Sequence, residues 1–133
     1  MLHRLISLTT VAVAVALTAG CASAGHRADA ATDVAVALLT EVADGDGTGA
    51  CARLAPDTAE TVAEDEPCEK AILDKDLPKP GQVVGAHVYG QWAQVRLDDD
   101  TVFLAVFPGG WRVVAAGCAP RSNRPYQCSV EGG

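Results

Sequence analysis

The hydrophobic period of this chain changes at Pro78-Lys79-Pro80-Gly81, a rigid connector that separates two kinds of pattern. Upstream, Val34, Leu38 and Val42 recur at a spacing of four, and Ala35 and Leu39 widen the stripe. That period predicts an amphipathic helix from Thr32, with Thr32-Asp33 as its N-cap and Gly45 as its stop. Short helices are expected at Ala50–Leu54, at Thr58–Ala63 (capped by Asp57 or Thr58) and at Cys68–Leu73, where Ile72 and Leu73 face inward. Downstream the period is two. Ala93, Val95 and Leu97 share one face of a strand, and Trp92, Gln94 and Arg96 share the other. Four strands are expected: Val83–Tyr89, Gln91–Leu97, Thr101–Phe107 and Trp111–Gly117. The turns between them are so short that neighbouring strands must be antiparallel. The tail from Ala119 to Gly133 reads as loose apart from Cys128. Helices followed by an antiparallel meander make an α+β fold, with the helices packed on one sheet face.

The chain has 133 residues, enough for one small domain with a modest core. Such a domain gains from covalent staples. Five cysteines occur, and Cys21 is set apart by its position near the N-terminus. The remaining Cys51, Cys68, Cys118 and Cys128 allow three pairings, among which spacing alone does not decide. Pairing within local segments favours Cys51–Cys68 and Cys118–Cys128. A zinc site is the alternative, but no C-x-x-C pair exists and only three histidines are present. No metal or cofactor is expected.

The N-terminus has the layout of a secretory signal peptide. Met1–Leu5 carries Arg4, and Ile6–Ala19 is a charge-free run of Val, Ala and Leu that is short for a membrane span. Leu17-Thr18-Ala19-Gly20-Cys21 resembles the bacterial lipobox, in which two small residues precede a cysteine that takes up diacylglycerol. The usual Leu three residues before the cysteine is replaced by Thr18, with Leu17 one place earlier. The alternative is ordinary cleavage after Ala22-Ser23-Ala24 and a freely secreted product. On the lipobox reading, residues 1–20 are a signal peptide, 21–31 a lipidated small-residue tether, and 32–133 a single α+β domain. The acyl anchor fixes the domain to the extracytoplasmic face of the cell membrane. Removing Arg4 leaves nine Lys/Arg against seventeen Asp/Glu, a net charge near −8. So acidic a domain repels nucleic acid and anionic lipid headgroups, and neither is expected as a ligand.

From Ala31 to Gly133 the chain resembles a group of uncharacterised actinobacterial lipoproteins. The resemblance rests on "DGDGTGACARLAP", "EPCEKAILDKDLP", "VYGQWAQVRLDDDTVFLAVFPGGWRVVAAGC" and "RPYQC". The order of long helix, small helices and curved meander is also similar to the cystatin-like fold of the nuclear transport factor two superfamily. These resemblances imply a location and a fold. They imply no activity.

Few residues are suited to chemistry. His87 and Tyr89 share a strand face, and in enzymes of that superfamily a His lining the cone acts as general base. Asp44–Gly49 has the oxygen spacing of a calcium loop, but Ala55 stands where the bidentate Glu belongs; it reads as a solvated turn, as does Asp98-Asp99-Asp100. Arg96 and Arg112 are expected on one sheet face with Gln94, and Trp92 and Trp111 beside that surface, with Trp111 the one that packs into the core. His87, Tyr89, Trp92, Arg96 and Arg112 are therefore the candidate interface. The expected function is a non-catalytic binding or accessory module acting on an envelope protein or a small ligand. The alternatives are an isomerase- or hydratase-type enzyme using His87, and a structural envelope protein.

Overall fold

The computed structural model describes residues 19–133. The charged start, most of the apolar run, and Leu17-Thr18 of the cleavage motif lie outside the described residues. Helices come first and one antiparallel sheet follows. Helix α1 spans Ala19–Ala43, α2 Gly47–Arg53, α3 Pro56–Val62 and α4 Cys68–Ala71, and a 3-10 turn follows at Ile72–Asp74. The strands are β1 Val83–Tyr89, β2 Trp92–Leu97, β3 Thr101–Phe107, β4 Gly110–Arg121 and β5 Arg124–Glu131, ordered β1-β2-β3-β4-β5.

Two expectations need correction here. The sheet has five strands, because the tail pairs with β4 from Ala115↔Glu131 to Arg121↔Arg124. Its turn is Ser122-Asn123, with Asn123 in the left-handed region that Asn tolerates. The long helix starts well before Thr32, and the segment 21–31, expected as a small-residue tether, is its first part. Its run of alanines favours helix. Ala31 is fully buried, and Thr32 donates its hydroxyl to the Ala28 carbonyl within the helix instead of capping it.

Helix α1 buries Ala31, Ala35, Leu38 and Leu39 against the sheet. Ala93, Val95, Leu97, Val102, Leu104 and Val113 meet them from below. Ile72 fills the same core, whereas Leu73 turns outward, against expectation. Asp46 caps α2 by accepting the Gly49 amide at 2.9 Å. Arg53 of α2 forms a fork with Glu41 of α1, its Nη2 2.8 Å from the carboxylate, and that bond holds the guanidinium pKa above its usual value. Pro56 opens α3, so the expected cap Thr58 is instead a fully buried member of its first turn.

Strand β4 carries a bulge. Phe103 pairs with Ala115 but Leu104 with Val113, so Val114 is the extra residue. Its freed carbonyl accepts the Thr58 hydroxyl at 3.1 Å and the Gly132 amide at 3.2 Å. On the near half of β4, Leu54 forms a parallel bridge with Val113, and Ala55 donates its amide to the Val113 carbonyl. The helical layer is thus bonded to the sheet through backbone as well as packed on it.

Both expected disulfides are present. Cys51–Cys68 ties α2 to α4, and Cys118–Cys128 joins directly opposed residues of β4 and β5.

Candidate functional site

The helices lie on one face of the sheet, and the other face is built from the alternate residues of each strand. Register sets its neighbours: Gly85 opposite Arg96, His87 opposite Gln94, and Tyr89 opposite Trp92 across β1–β2. Across β2–β3, Trp92 faces Ala105, Gln94 faces Phe103, and Arg96 faces Thr101. Tyr126 of β5 lays its ring edge-on to Phe103, with centroids 5.1 Å apart, and its hydroxyl takes a long contact of 3.5 Å from Gln94 Nε2. Tyr89 and Trp92 are 54% and 53% exposed, large values for aromatics that a filled interior would have covered.

Four of the five candidate interface residues, His87, Tyr89, Trp92 and Arg96, therefore meet on this face. Arg112 is on it by register, opposite Ala105, but its guanidinium is drawn aside to the Ala52 carbonyl of α2. Trp111 is on the helix side instead, packed against the core with the Arg27 guanidinium 5.4 Å from its ring centroid. The two tryptophans thus lie on opposite faces. His87 is exposed and stands outside the helix–sheet interior, which Leu38, Leu39, Ile72, Val95, Val102 and Leu104 fill.

Charge is divided between the layers. Residues 27–79 hold thirteen Asp/Glu against five Lys/Arg, while the strands carry four arginines and one carboxylate, Glu131. The net acidity of the chain belongs to its helical layer, and the strands carry a net positive charge.

The turn Asp98-Asp99-Asp100 holds a residue that sequence reasoning missed. Asp98 and Asp99 are exposed, as a solvated turn requires, but Asp100 is buried. Its two carboxylate oxygens accept the Gly117 amide at 3.1 Å and the Cys118 amide at 2.9 Å. Burial pushes its pKa up, and the amide hydrogen bonds pull against that rise. The only signal available was Gly117 within the strand pattern, where a glycine marks an irregular backbone or a close approach. Beside this turn lies an open cleft of about 690 Å³, bordered by Arg96, Asp76, Asp98, Asp99 and Tyr126. Among the described residues, no group of three or more His, Cys, Asp or Glu is placed to hold a metal ion.

Comparison with protein-family models, with curated proteins and with solved structures returns no match.

Proposed function

We propose that this chain is the precursor of an exported lipoprotein whose domain works as a non-catalytic binding or accessory module of the cell envelope. Acyl chains on Cys21 hold it at the extracytoplasmic face of the membrane, and the open sheet face receives an envelope protein or a small ligand. The observation that carries the binding reading is the makeup of that face: His87, Gln94, Arg96 and the Phe103–Tyr126 pair share a surface opposite the described helices. Aromatic and arginine side chains side by side are what protein-recognition surfaces are enriched in.

The lipobox-like Thr18-Ala19-Gly20-Cys21 and two disulfides in so short a chain support export to an oxidising compartment. The resemblance to actinobacterial lipoproteins agrees with that location. The finer fold reading, a cystatin-like domain, is supported by one long helix packed on an antiparallel meander.

The test has two arms. Mass spectrometry of the mature protein should find Cys21 as the N-terminal residue, carrying diacylglycerol. A photo-crosslinking residue at Arg96 should then give a discrete adduct in intact cells, and the same residue at Glu64 of the helical layer should not. Equal labelling from both positions, or labelling from neither, would sink the binding-face assignment.

A further inference from the structure

We propose that one end of the domain, the paired tips of the β1–β2 and β3–β4 hairpins, seats in the lipid surface beside the anchor. This rests on the reading of Cys21 as the acylated residue. In an antiparallel meander these two turns lie at the same end of the sheet, and the Val106 amide donates to the Gln91 carbonyl to bind one tip to the other. Helix α1 meets the sheet at that same end. Arg27 donates to the Gly90 carbonyl at 2.6 Å, in the turn between Tyr89 and Trp92, while its guanidinium lies over Trp111. Residues 23–26 just before it are all exposed. The helix thus runs past the tips toward Cys21, six residues earlier and about 9 Å further along the axis.

That distance decides the geometry. The headgroup layer on each side of a bilayer is roughly 5–8 Å deep. With the acylated residue at the base of that layer and α1 near the membrane normal, the hairpin tips arrive at its outer margin, and a modest tilt brings their side chains into it. The tips are made for such a medium. Tyr89 and Trp92 are exposed on the open face, and Val106 (38% exposed) and the half-buried Trp111 belong to the helix side. The apolar side chains therefore ring the end of the molecule instead of lying on one face, as a flat bilayer requires and a partner on one face does not. Trp and Tyr favour the membrane–water interface. Charge agrees: residues 83–97 and 101–121 contain no carboxylate, the turn acids Asp98, Asp99 and Asp100 are at the far end of the sheet, and Arg27 and Arg112 are at the near end. The nearest acid on α1 is Asp29, exposed and two residues further from Cys21 than Arg27. Anionic headgroups attract such an end and repel the acidic helical layer, which sets the orientation of the domain.

The test uses the acylated protein reconstituted into phosphatidylcholine–phosphatidylglycerol vesicles, with bromine near the carboxyl end of the acyl chains in one set. In a Trp111→Phe variant, Trp92 is the sole tryptophan. We expect loss of most of its emission in the brominated vesicles, and a blue-shifted maximum in the unbrominated ones. Adding Tyr89→Ser should reduce both effects without altering the far-ultraviolet spectrum. Acylated protein whose Trp92 stays unquenched, with the maximum of a solvated indole, overturns the seating and leaves the anchor reading intact. Protein without acyl mass removes both. A Trp92-position crosslink to a protein, with no quenching by lipid, assigns the tip to a protein partner and also overturns the proposal.

Discussion

Asp100 in the β2–β3 turn holds the backbone amide of Cys118, 2.9 Å from its carboxylate and one residue past the left-handed Gly117. The carboxylate thereby locks the first disulfide cysteine of the final hairpin to a turn in the middle of the sheet. Replacing Asp100 with Ala leaves two strand amides without their acceptor, and should cost about 2–3 kcal/mol in urea unfolding. The pH dependence has a definite sign. Burial raises this carboxyl's pKa in the folded state, so the native protein binds the proton more tightly than the unfolded chain. The resulting stability is present below the unfolded pKa and is lost as pH rises through the raised native value. Thermal unfolding of wild type and Asp100→Asn should therefore show wild type losing ground, relative to the variant, as pH climbs out of the usual carboxylate range. A gap that moves in wild type's favour over that window refutes the assignment.

Gly117 has φ of +64°, and a Cβ there would sit 2.8 Å from Leu77 Cδ2 and 2.9 Å from Ser129 Cβ. Gly117→Ala should lower stability by about 1–3 kcal/mol through strain alone. Calorimetry of the variant checks this, and an unchanged melting temperature would show that the left-handed position has no such constraint.

The disulfides close loops of similar size, with sequence separations of 17 and 10. Removing either pair as a double Cys→Ser variant should cost about 3 kcal/mol on the chain-entropy account. Non-reducing peptide maps of wild type should recover Cys51 with Cys68 and Cys118 with Cys128. A crossed pair in those maps contradicts the fold described above.

His87 is exposed on the open face opposite Gln94. His87→Gln should stay within about 0.5 kcal/mol of wild type in urea unfolding and weaken, without abolishing, the crosslinked adduct formed from the Arg96 position. A folded His87→Gln protein that loses the phenotype of the gene while giving the Arg96-position adduct at full yield would replace the binding reading with a His87-based enzyme.

Cys21→Ala should release the protein into the medium or leave it unprocessed. Fractionation with a membrane marker reads the result. Membrane retention of a cleaved Cys21→Ala protein would require a different anchor.

The architecture was legible wherever a period repeated. The spacing of Val34, Leu38 and Val42 marked the helix, though its most buried residues are the neighbouring Ala31, Ala35, Leu38 and Leu39. Small residues hid the start of that helix: alanine packs closely against a sheet, yet in sequence a run of it looks like a linker. Strand β5 was illegible because "RPYQC" has no clean alternation; the expected Cys118–Cys128 link tied the tail to the fourth strand, but the ladder of pairs with β4 is known only through tertiary structure. The candidate face was half legible. Alternation put His87 with Tyr89 and Trp92 with Arg96, but only register brought the two strands' residues opposite one another. Asp100 was hidden for a related reason: three successive aspartates look alike, and only the amides of Gly117 and Cys118, some seventeen residues later, single out the third.

The unbroken strand order also dictates how the molecule assembles. Each strand is added beside its immediate predecessor through a turn of two or three residues, so loop-closure entropy is spent in small instalments and each hairpin can form in about 1–10 μs. The bonds between the helical layer and the sheet lie outside that local growth, and among them Leu54 must find Val113 across the whole of β1, β2 and β3. Such a long-range closure is the slow event in a chain of this topology. Folding speed is therefore set by the moment the α2–α3 junction reaches β4, and substitutions at Leu54 should slow refolding where equally destabilising ones at the Gly90 turn mainly hasten unfolding.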